Sequence, residues 1–178
     1  MGVFDESKDA YKGKKSLIIY FSRADENYVG GTMRYIDKGN TEVIAEYIRD
    51  IVGADIFKVE PLNPYSAGYM QCIEEAKVRT RNHDAPIKEK APDISSYEVI
   101  YVGSPVYWGG MPEELFTALN GLDYTGKIIR PFVTHEGSGL SGIPMQLKKI
   151  CNDAVITSGI AIRGGTVNSA KDQVESWI

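Results

Sequence analysis

Short apolar segments that alternate with helical segments restrict the fold of this chain more than any other feature of its sequence. Each apolar segment is rich in β-branched and aromatic residues and lacks regularly spaced polar residues, which is typical of a strand buried on both faces. Five such strands are predicted, over residues 16–21, 54–60, 97–103, 127–134 and 154–162. A helix is predicted after each strand, over residues 41–51, 67–81, 112–119, 141–151 and 169–177.

This alternation predicts an α/β fold with three layers, in which helices cover both faces of one five-stranded parallel sheet. Five units of this kind most often wind in the strand order 2-1-3-4-5, so that strands 1 and 3 are neighbours where the winding reverses. Ligands bind at such a point, beyond the carboxyl ends of the strands. The segments that follow strands 1, 3 and 4 are therefore the candidate binding loops.

Several local features lead to finer predictions. Gly53 is expected to end the first helix. Pro131 lies inside the fourth strand, where it cannot donate a ladder hydrogen bond, and it predicts an edge strand or a bulge. Ser169 followed by Asp172 resembles a capping box that opens the last helix. Three apolar residues of the second helix are expected to face inward: Met70, Ile73 and Val78.

Length and composition favour one domain and exclude several classes of protein. The 178 residues, 43% hydrophobic and 25% charged, are ordinary for a single globular domain. Residues 1–15 are predicted to form a polar lead-in to one domain over 16–178. The 20 basic and 24 acidic residues are mixed along the chain, so nucleic acid is not an expected partner. The longest fully apolar run, residues 17–21, is too short to cross a membrane.

The two cysteines indicate neither a redox pair nor a metal site. Cys72 and Cys151 are far apart and lack the spacing of a dithiol or of a zinc site. Each is expected to be a small buried apolar residue. Unpaired cysteines fit a reducing compartment, so the predicted location is the cytoplasm.

The loop after strand 1 ends in Gly39, Asn40 and Thr41, immediately before the first helix. Free N–H groups and the positive end of that helix would then point into the crevice, which makes an anion site. Ser22, Asn40 and Thr41 add side-chain donors, and Gly39 lets the backbone wrap closely around a phosphate. The same residues would also suit an ordinary capping turn.

The loop after strand 3 carries two adjacent large aromatic residues, Tyr107 and Trp108. Their side chains must point in different directions, so at least one is expected to present a flat apolar face in the crevice, as a planar ligand requires. Gly109 and Gly110 leave room for a peptide flip. Packing of the two rings on the third helix is the alternative.

The loop after strand 4 contains a formal G-x-G-x-x-G from Gly137 to Gly142. A dinucleotide fingerprint belongs after the first strand, with an acidic residue about 20 positions later, so a Rossmann-type NAD site is not favoured. Ser138 and His135 are close in sequence, but a hydrolase would need a G-x-S-x-G elbow, which is absent. The loop is better interpreted as one whose backbone amides approach the polar edge of a ligand.

Together, the three loops resemble the FMN-binding loops of flavodoxins. The resemblance is carried by the pair 22–23, the turn 39–41, the segment 104–109 and the glycine loop from residue 134. It implies a flavodoxin-like sandwich with FMN as the cofactor. The cofactor-binding residues that it implies are Ser22, Arg23, Asn40, Thr41, Ser104, Pro105, Val106, Tyr107, Trp108, Gly109, Thr134, His135, Glu136, Gly137 and Ser138.

The resemblance also implies a role for each loop. Ser22, Asn40 and Thr41 would hold the 5′-phosphate, Tyr107 and Trp108 would line the isoalloxazine, and residues 136–138 would border its other side or its pyrimidine edge. Sixteen residues separate Arg23 from Asn40, where flavodoxins have only a few. This insertion could form a flap over the flavin, which would suit a substrate pocket.

The resemblance implies an electron carrier that exchanges electrons with a reductase or an acceptor protein. The net charge of −4 is mild for a carrier that docks basic reductases. The alternative is an FMN-dependent NAD(P)H oxidoreductase acting on small molecules such as quinones or nitro or azo compounds. A phosphoryl-receiver signalling module would share the strand order, but it needs an acidic residue where Gly103 and Ser104 stand. No catalytic residue is assigned, and the oligomeric state stays open.

Overall fold

The computed structural model describes residues 11–178, so two thirds of the predicted lead-in lie outside the described residues. The elements follow one another in the order β1 (Ser16–Tyr20), β2 (Asp25–Val29), β3 (Thr32–Ile36), α1 (Asn40–Val52), β4 (Asp55–Lys58), α2 (Tyr69–Asn82), β5 (Val99–Pro105), α3 (Glu113–Leu119), β6 (Ile128–His135), α4 (Ile143–Ile150), β7 (Val155–Ile156), β8 (Ile160–Arg163), a 3₁₀ segment (Gly164–Ser169) and α5 (Lys171–Trp177).

The main sheet is parallel and has the order β4-β1-β5-β6, with β7 and β8 both paired to β6. Since β7 and β8 are two pieces of one fifth strand, this is the predicted order 2-1-3-4-5, and the predicted fold class is confirmed. Every residue of β1 is buried, as expected for a strand covered on both faces. None of the helices within residues 11–178 combines the length and apolar content that a membrane span requires.

Two apolar cores lie on opposite faces of the sheet. Alternate residues of a strand point to opposite faces, so Leu17 and Ile19 belong to the core under α3 and α4. Ile18 and Tyr20 belong to the core under α1 and α5. The three-layer arrangement follows from this division of the buried strands.

Pro131 does not mark an edge strand, because β6 pairs with β5 on one side and with β7 and β8 on the other. That part of the prediction is wrong. The Ile129 carbonyl accepts the Thr157 N–H, so residue 131, two positions further on, faces the same neighbouring strand. Proline has no N–H to offer that strand. The fifth strand is accordingly interrupted opposite Pro131, between β7 and β8.

The predicted end of α1 at Gly53 is confirmed, whereas the predicted capping box at the start of α5 is wrong. Gly53 ends α1 in the left-handed conformation, with φ of 69° and its N–H bonded to the Arg49 carbonyl, as predicted. The capping box at Ser169 is wrong, because α5 is preceded by Ala170 and has no side-chain cap. The Ser169 hydroxyl donates instead to the Thr166 carbonyl, since the preceding 3₁₀ turn offers a nearer acceptor.

The inward-facing residues of α2 are Cys72 and Ala76, one helical turn apart. The prediction is wrong for Met70 and Val78, which are 57% and 44% exposed to solvent. Short side chains let this helix lie close to the aromatic residues after β5, which leaves no space for long ones on that face. Burial of both cysteines is confirmed.

The insertion between β1 and α1 is an antiparallel hairpin, β2–β3, outside the main sheet. Gly30 and Gly31 form its turn with φ of 61° and 89°. Positive φ at both central residues is typical of a type I′ hairpin turn. The segment predicted to be a long loop is therefore ordered by its own backbone pairing, and its position relative to the binding loops decides what it does.

Candidate functional site

A cleft of about 620 Å³ lies at the carboxyl ends of β1, β5 and β6, at the switch point that the strand order predicts. Its volume is in the range of small-molecule sites. All but two of the implied cofactor residues line it. Ser104 is fully buried, and its hydroxyl bonds to the Pro105 carbonyl. Gly109 lies next to the start of α4.

The polar end of the cleft is the first turn of α1. Its Glu42 N–H is bonded to the Ser22 hydroxyl at 3.0 Å, and the Thr41 and Thr134 hydroxyls are 2.7 Å apart in a buried contact. These bonds join the segment after β1 and the carboxyl end of β6 to the helix. The backbone N–H groups of Asn40 and Thr41 have no acceptor within the helix, because an α-helix leaves its first N–H groups unpaired. They are available to an anion.

Gly39 makes this end of the cleft a tight cradle. A Cβ atom at position 39 would lie 2.1 Å from the Ser22 hydroxyl oxygen and 2.8 Å from the backbone N and O of Arg23. The φ of Gly39 is −62°, so the requirement is for space and not for an unusual backbone conformation. The two segments therefore touch directly, and any side chain here would displace the α1 N–H groups.

Arg23 adds a positive charge beside the cradle. Its guanidinium donates to the carbonyls of Glu26, Ser66 and Ala67 at 2.6, 2.7 and 2.7 Å. Its Nε is buried without a partner, and no carboxylate pairs with the guanidinium among residues 11–178. The guanidinium and the positive end of α1 therefore lie at the same end of the cleft, where both attract an anionic ligand. The Glu136 carboxylate also lines the cleft, and it is bonded to the hairpin through the Gly30 N–H.

The aromatic wall is a tight turn in which Tyr107 and Gly110 exchange two backbone hydrogen bonds of 2.8 and 3.1 Å. Trp108 and Gly109 occupy its centre with φ of 51° and 79°, as a type I′ turn requires. This conformation costs a bulky residue about 1–3 kcal/mol. The Trp108 indole is held by the Ile73 carbonyl at 2.8 Å and by the Lys77 ammonium, 5.2 Å from the ring centroid.

Both aromatic residues line the cleft, but they do so differently. Trp108 is 55% exposed at the cleft mouth, whereas Tyr107 packs inward against Phe21 and Tyr65. The alternative that both rings pack on the third helix is wrong. Burial raises the pKa of Tyr107 well above its ordinary value, as does the nearby Cys72 thiol. Tyr107 therefore offers a neutral phenol ring to the cleft.

A peptide flip at the glycine pair, for which the sequence leaves room, would break existing bonds. The Gly109 carbonyl accepts the Ser141 hydroxyl at 2.8 Å and the Gly142 N–H at 3.1 Å. It is thus directed to the start of α4. A flip that turned this carbonyl into the cleft would cost both hydrogen bonds.

The hairpin β2–β3 forms a further wall of the cleft through Asn27 and Tyr28. At its tip, the Gly30 N–H donates to the Glu136 carboxylate at 2.9 Å. At its base, the Glu26 carboxylate accepts the Tyr69 N–H at 3.0 Å. Because it is fastened at both ends, the insertion is a fixed wall in this structure and a flap only if these bonds open.

Residues of α2 complete the cleft and were missing from the sequence-based site. They are Tyr69, Cys72, Ile73 and Ala76. The one sequence signal that could have identified two of them is the i, i+4 pair of short residues Cys72 and Ala76, which marks the side of α2 that lies close to another segment. Nothing in the sequence places that side against the loop after β5.

His135 holds the third loop through its ring. Its Nδ1 accepts the Gly137 N–H at 2.8 Å, which requires that this nitrogen carry no proton. Burial and the positive charge of Arg163 lower the pKa of His135 below 6.5, and the smaller effect of Glu136 opposes them. The loop geometry thus belongs to the neutral imidazole.

We expect the Gly137 hydrogen bond to be lost as the pH falls below the usual histidine range. The folded-state pKa is below that of the unfolded chain, so the unfolded chain binds the proton more readily. The contribution of His135 to stability is therefore full above pH 6.5 and is lost as the pH falls through the lowered pKa. The Gly137 amide shift in an NMR titration measures this. His135→Asn keeps an acceptor that does not titrate in this range, so it should abolish the pH dependence of the Gly137 amide shift. A Gly137 amide shift that does not change with pH in the unaltered protein would contradict the prediction.

Comparison with known proteins identifies relatives of the whole fold. A family model described as Flavodoxin matches residues 33–178. A provisionally described flavoprotein from Bacteroides eggerthii DSM 20697 is 24% identical, with a TM-score of 0.68, over 91% of this chain and 98% of that one. A flavoprotein from Lactobacillus acidophilus NCFM, solved in complex with FMN, is 19% identical, with a TM-score of 0.62, over 90% and 98%.

A flavodoxin is among the more distant structures. Oxidised flavodoxin 2 from Bacillus cereus is 17% identical, with a TM-score of 0.53, over 92% of this chain and 97% of that one. At such low identities the structural likeness shows a common fold. No curated protein matches the sequence.

Proposed function

Because this chain belongs to the flavodoxin family, we propose that its cleft binds FMN and that the bound flavin carries electrons to and from a partner protein. The single observation that supports this most strongly is the position of the cradle at Gly39. It lies in the same cleft as the aromatic wall of Tyr107 and Trp108, so one molecule with an anionic end and a planar end can contact both.

The residues present fit this cofactor. The N–H groups of Asn40 and Thr41, with the Asn40 side chain and the positive end of α1, would hold the phosphate. Tyr107 and Trp108 would contact the flavin ring, and the backbone of residues 136–138 would border it. When bound, FMN supplies reversible one- and two-electron chemistry. The protein binds and orients the group and limits its contact with water.

Four titratable side chains of the cleft are poorly suited to transfer protons. Burial raises the pKa values of Tyr69, Cys72 and Tyr107, so all three stay protonated at neutral pH. His135 is engaged by the Gly137 N–H. Proton transfer to a substrate needs a group whose pKa is near the working pH and which can reach that substrate. These four side chains do not offer one in this arrangement.

A second candidate is an FMN-dependent NAD(P)H oxidoreductase that reduces quinones or nitro or azo compounds. It is favoured by the walls that the hairpin and α2 add to the three loops. Tyr28 and Tyr69 lie with ring centroids 6.4 Å apart and an interplanar angle of 33°, and both line the cleft. A planar substrate could contact such rings beside the flavin.

The visible spectrum after incubation with FMN and removal of free FMN tests the proposal. We expect a yellow protein with one FMN per chain. A folded protein that retains no flavin absorption would refute FMN binding. Anaerobically, a carrier should be reduced by a flavodoxin reductase and not by NAD(P)H alone. Direct bleaching by NAD(P)H, with quinone turnover whose KM rises in Tyr28→Ala, would instead support the oxidoreductase.

A further inference from the structure

Three rings behind the cleft form a mutually perpendicular cluster, here called the aromatic trio: Phe21, Tyr65 and Tyr107. Their centroids are 5.6 Å apart for Phe21 and Tyr107, 5.9 Å for Tyr65 and Tyr107, and 6.0 Å for Phe21 and Tyr65. The interplanar angles are 75° to 88°. Of the three, Tyr107 alone lines the cleft. The orientation of its ring is therefore set from behind by the other two.

The Tyr65 ring is itself held by a buried ion pair. Its hydroxyl donates to Glu114 Oε2 at 2.9 Å, and Arg79 Nη1 donates to Glu114 Oε1 at 2.6 Å. The Arg79 guanidinium also lies 3.9 Å from the centroid of the Tyr65 ring. Its Nη2 donates to the Asn63 carbonyl. Tyr65 is thus fixed at its hydroxyl and on one face.

Because Glu114 is buried, its carboxylate needs both an ion pair and hydrogen bonds. The carboxylate is fully buried, and a buried charge is tolerated only when it is paired and hydrogen-bonded. Arg79 bonds to one carboxylate oxygen and Tyr65 to the other, so if the Tyr65 hydroxyl turned away, Oε2 would be left buried without this hydrogen-bond partner. Edge-to-face ring contacts depend on direction. A fixed Tyr65 therefore restricts the ring of Tyr107.

We propose that Tyr65 is a positioning residue for the cofactor site, which orients Tyr107 through the aromatic trio and is itself oriented by Glu114 and Arg79. The inference rests on the proposed function for its consequence, since a wall residue tunes a flavin only if a flavin binds. The positioning of Tyr107 is a property of the protein without cofactor and can be measured separately. Supporting contacts of this kind hold binding groups in their productive geometry.

Cys72 provides the measurement in the cofactor-free protein. Its sulfur lies 4.0 Å from the Tyr107 hydroxyl and lines the cleft, whereas Cys151 is buried in the core and borders Tyr124. We expect Tyr65→Phe to speed alkylation of Cys72 between about two- and thirtyfold, the range of indirect couplings in proteins. Alkylation of Cys151 should be unchanged, because general unfolding would expose both thiols.

Tyr124→Phe is the matched control. It also removes a buried hydroxyl, one that donates to the Leu119 carbonyl, but Tyr124 does not line the cleft. Its Cys72 rate should equal that of the unaltered protein. Glu114→Gln leaves one acceptor oxygen for two donors, Arg79 and the Tyr65 hydroxyl, and removes the charge that pairs with Arg79, so it should also speed Cys72 alkylation relative to the unaltered protein. Equal Cys72 rates in Tyr65→Phe and the control would overturn the positioning role.

The same variants loaded with FMN test the consequence. Tyr65→Phe should change the FMN dissociation constant by about two- to thirtyfold and shift the visible absorption band, while Tyr124→Phe should do neither. If Tyr65→Phe speeds Cys72 alkylation but leaves the FMN dissociation constant and the visible absorption band unchanged, the effect on the cofactor is refuted. If the unaltered protein does not bind FMN, the proposed function is refuted. The alkylation rates would still decide whether Tyr65 positions Tyr107.

Discussion

Gly39→Ala is expected to weaken FMN binding about a hundredfold or more, because charge-assisted hydrogen bonds contribute about 1.5–3 kcal/mol each and at least two would be lost. The added methyl group would meet the Ser22 hydroxyl at 2.1 Å and the Arg23 backbone at 2.8 Å. A hydroxyl can rotate, but backbone atoms cannot yield without moving the strand end. The turn at 39–41 must therefore shift, which takes the α1 N–H groups away from the phosphate.

Quenching of flavin fluorescence during titration measures this effect. Gly121→Ala is the control: the site is open, with no atom within 4 Å of the added Cβ, although its φ of 82° introduces strain. It should lower stability modestly and leave FMN affinity unchanged. Ser22→Ala, which removes only the acceptor of the Glu42 N–H, should have a smaller effect than Gly39→Ala. FMN affinity within a few-fold of normal in folded Gly39→Ala would show that the phosphate binds elsewhere.

Arg130→Ala is expected to lower the free energy of unfolding by about 3–5 kcal/mol. The side chain is buried on the α5 side of the sheet, with its guanidinium 4.2 Å from the ring centroids of both Tyr11 and Trp177. Nη2 donates to the Trp177 carbonyl at the end of α5, where a positive charge is favourable. Alanine would remove these contacts and leave a cavity that opens the packing of α5.

Urea denaturation measures the loss, and two further substitutions separate its causes. Arg130→Met fills most of the space without a charge and should recover more than half of the loss, because a buried charge has a large desolvation cost. Arg130→Lys keeps the charge but not the flat surface that stacks on aromatic rings, so it should recover less. FMN affinity should be unaffected in all three. A loss below about 1 kcal/mol in Arg130→Ala would show that α5 is held by its apolar residues.

Much of the fold could be predicted because local pattern and burial coincide in this chain. A run such as that in β1 is apolar at successive positions, and only a strand buried on both faces accommodates it. Gly53 directly follows the apolar pattern of α1 and ends this helix in the left-handed conformation. Most residues of the three predicted loops line one cleft, since loops at the carboxyl ends of neighbouring parallel strands are necessarily close.

The predictions that are wrong concern residues whose contacts are made with distant parts of the chain. Met70 and Val78 fit an apolar helical stripe, yet α2 turns its short residues inward to approach Tyr107. Pro131 indicated an edge strand, but the neighbouring strand adapted by breaking in two. Ser169 had a suitable spacing for a cap, but a closer carbonyl accepted its hydroxyl.

The sequence by itself determined the alternating elements, their order in the sheet and the edge at which a ligand meets the loops, because these follow from apolar pattern and chain connectivity. Only the tertiary structure decided that the insertion is a wall fastened through Gly30 and Glu136, that α2 lines the cleft, and that the Gly109 carbonyl faces away from it. Those features depend on contacts between residues far apart in sequence, and no local pattern encodes such a distance.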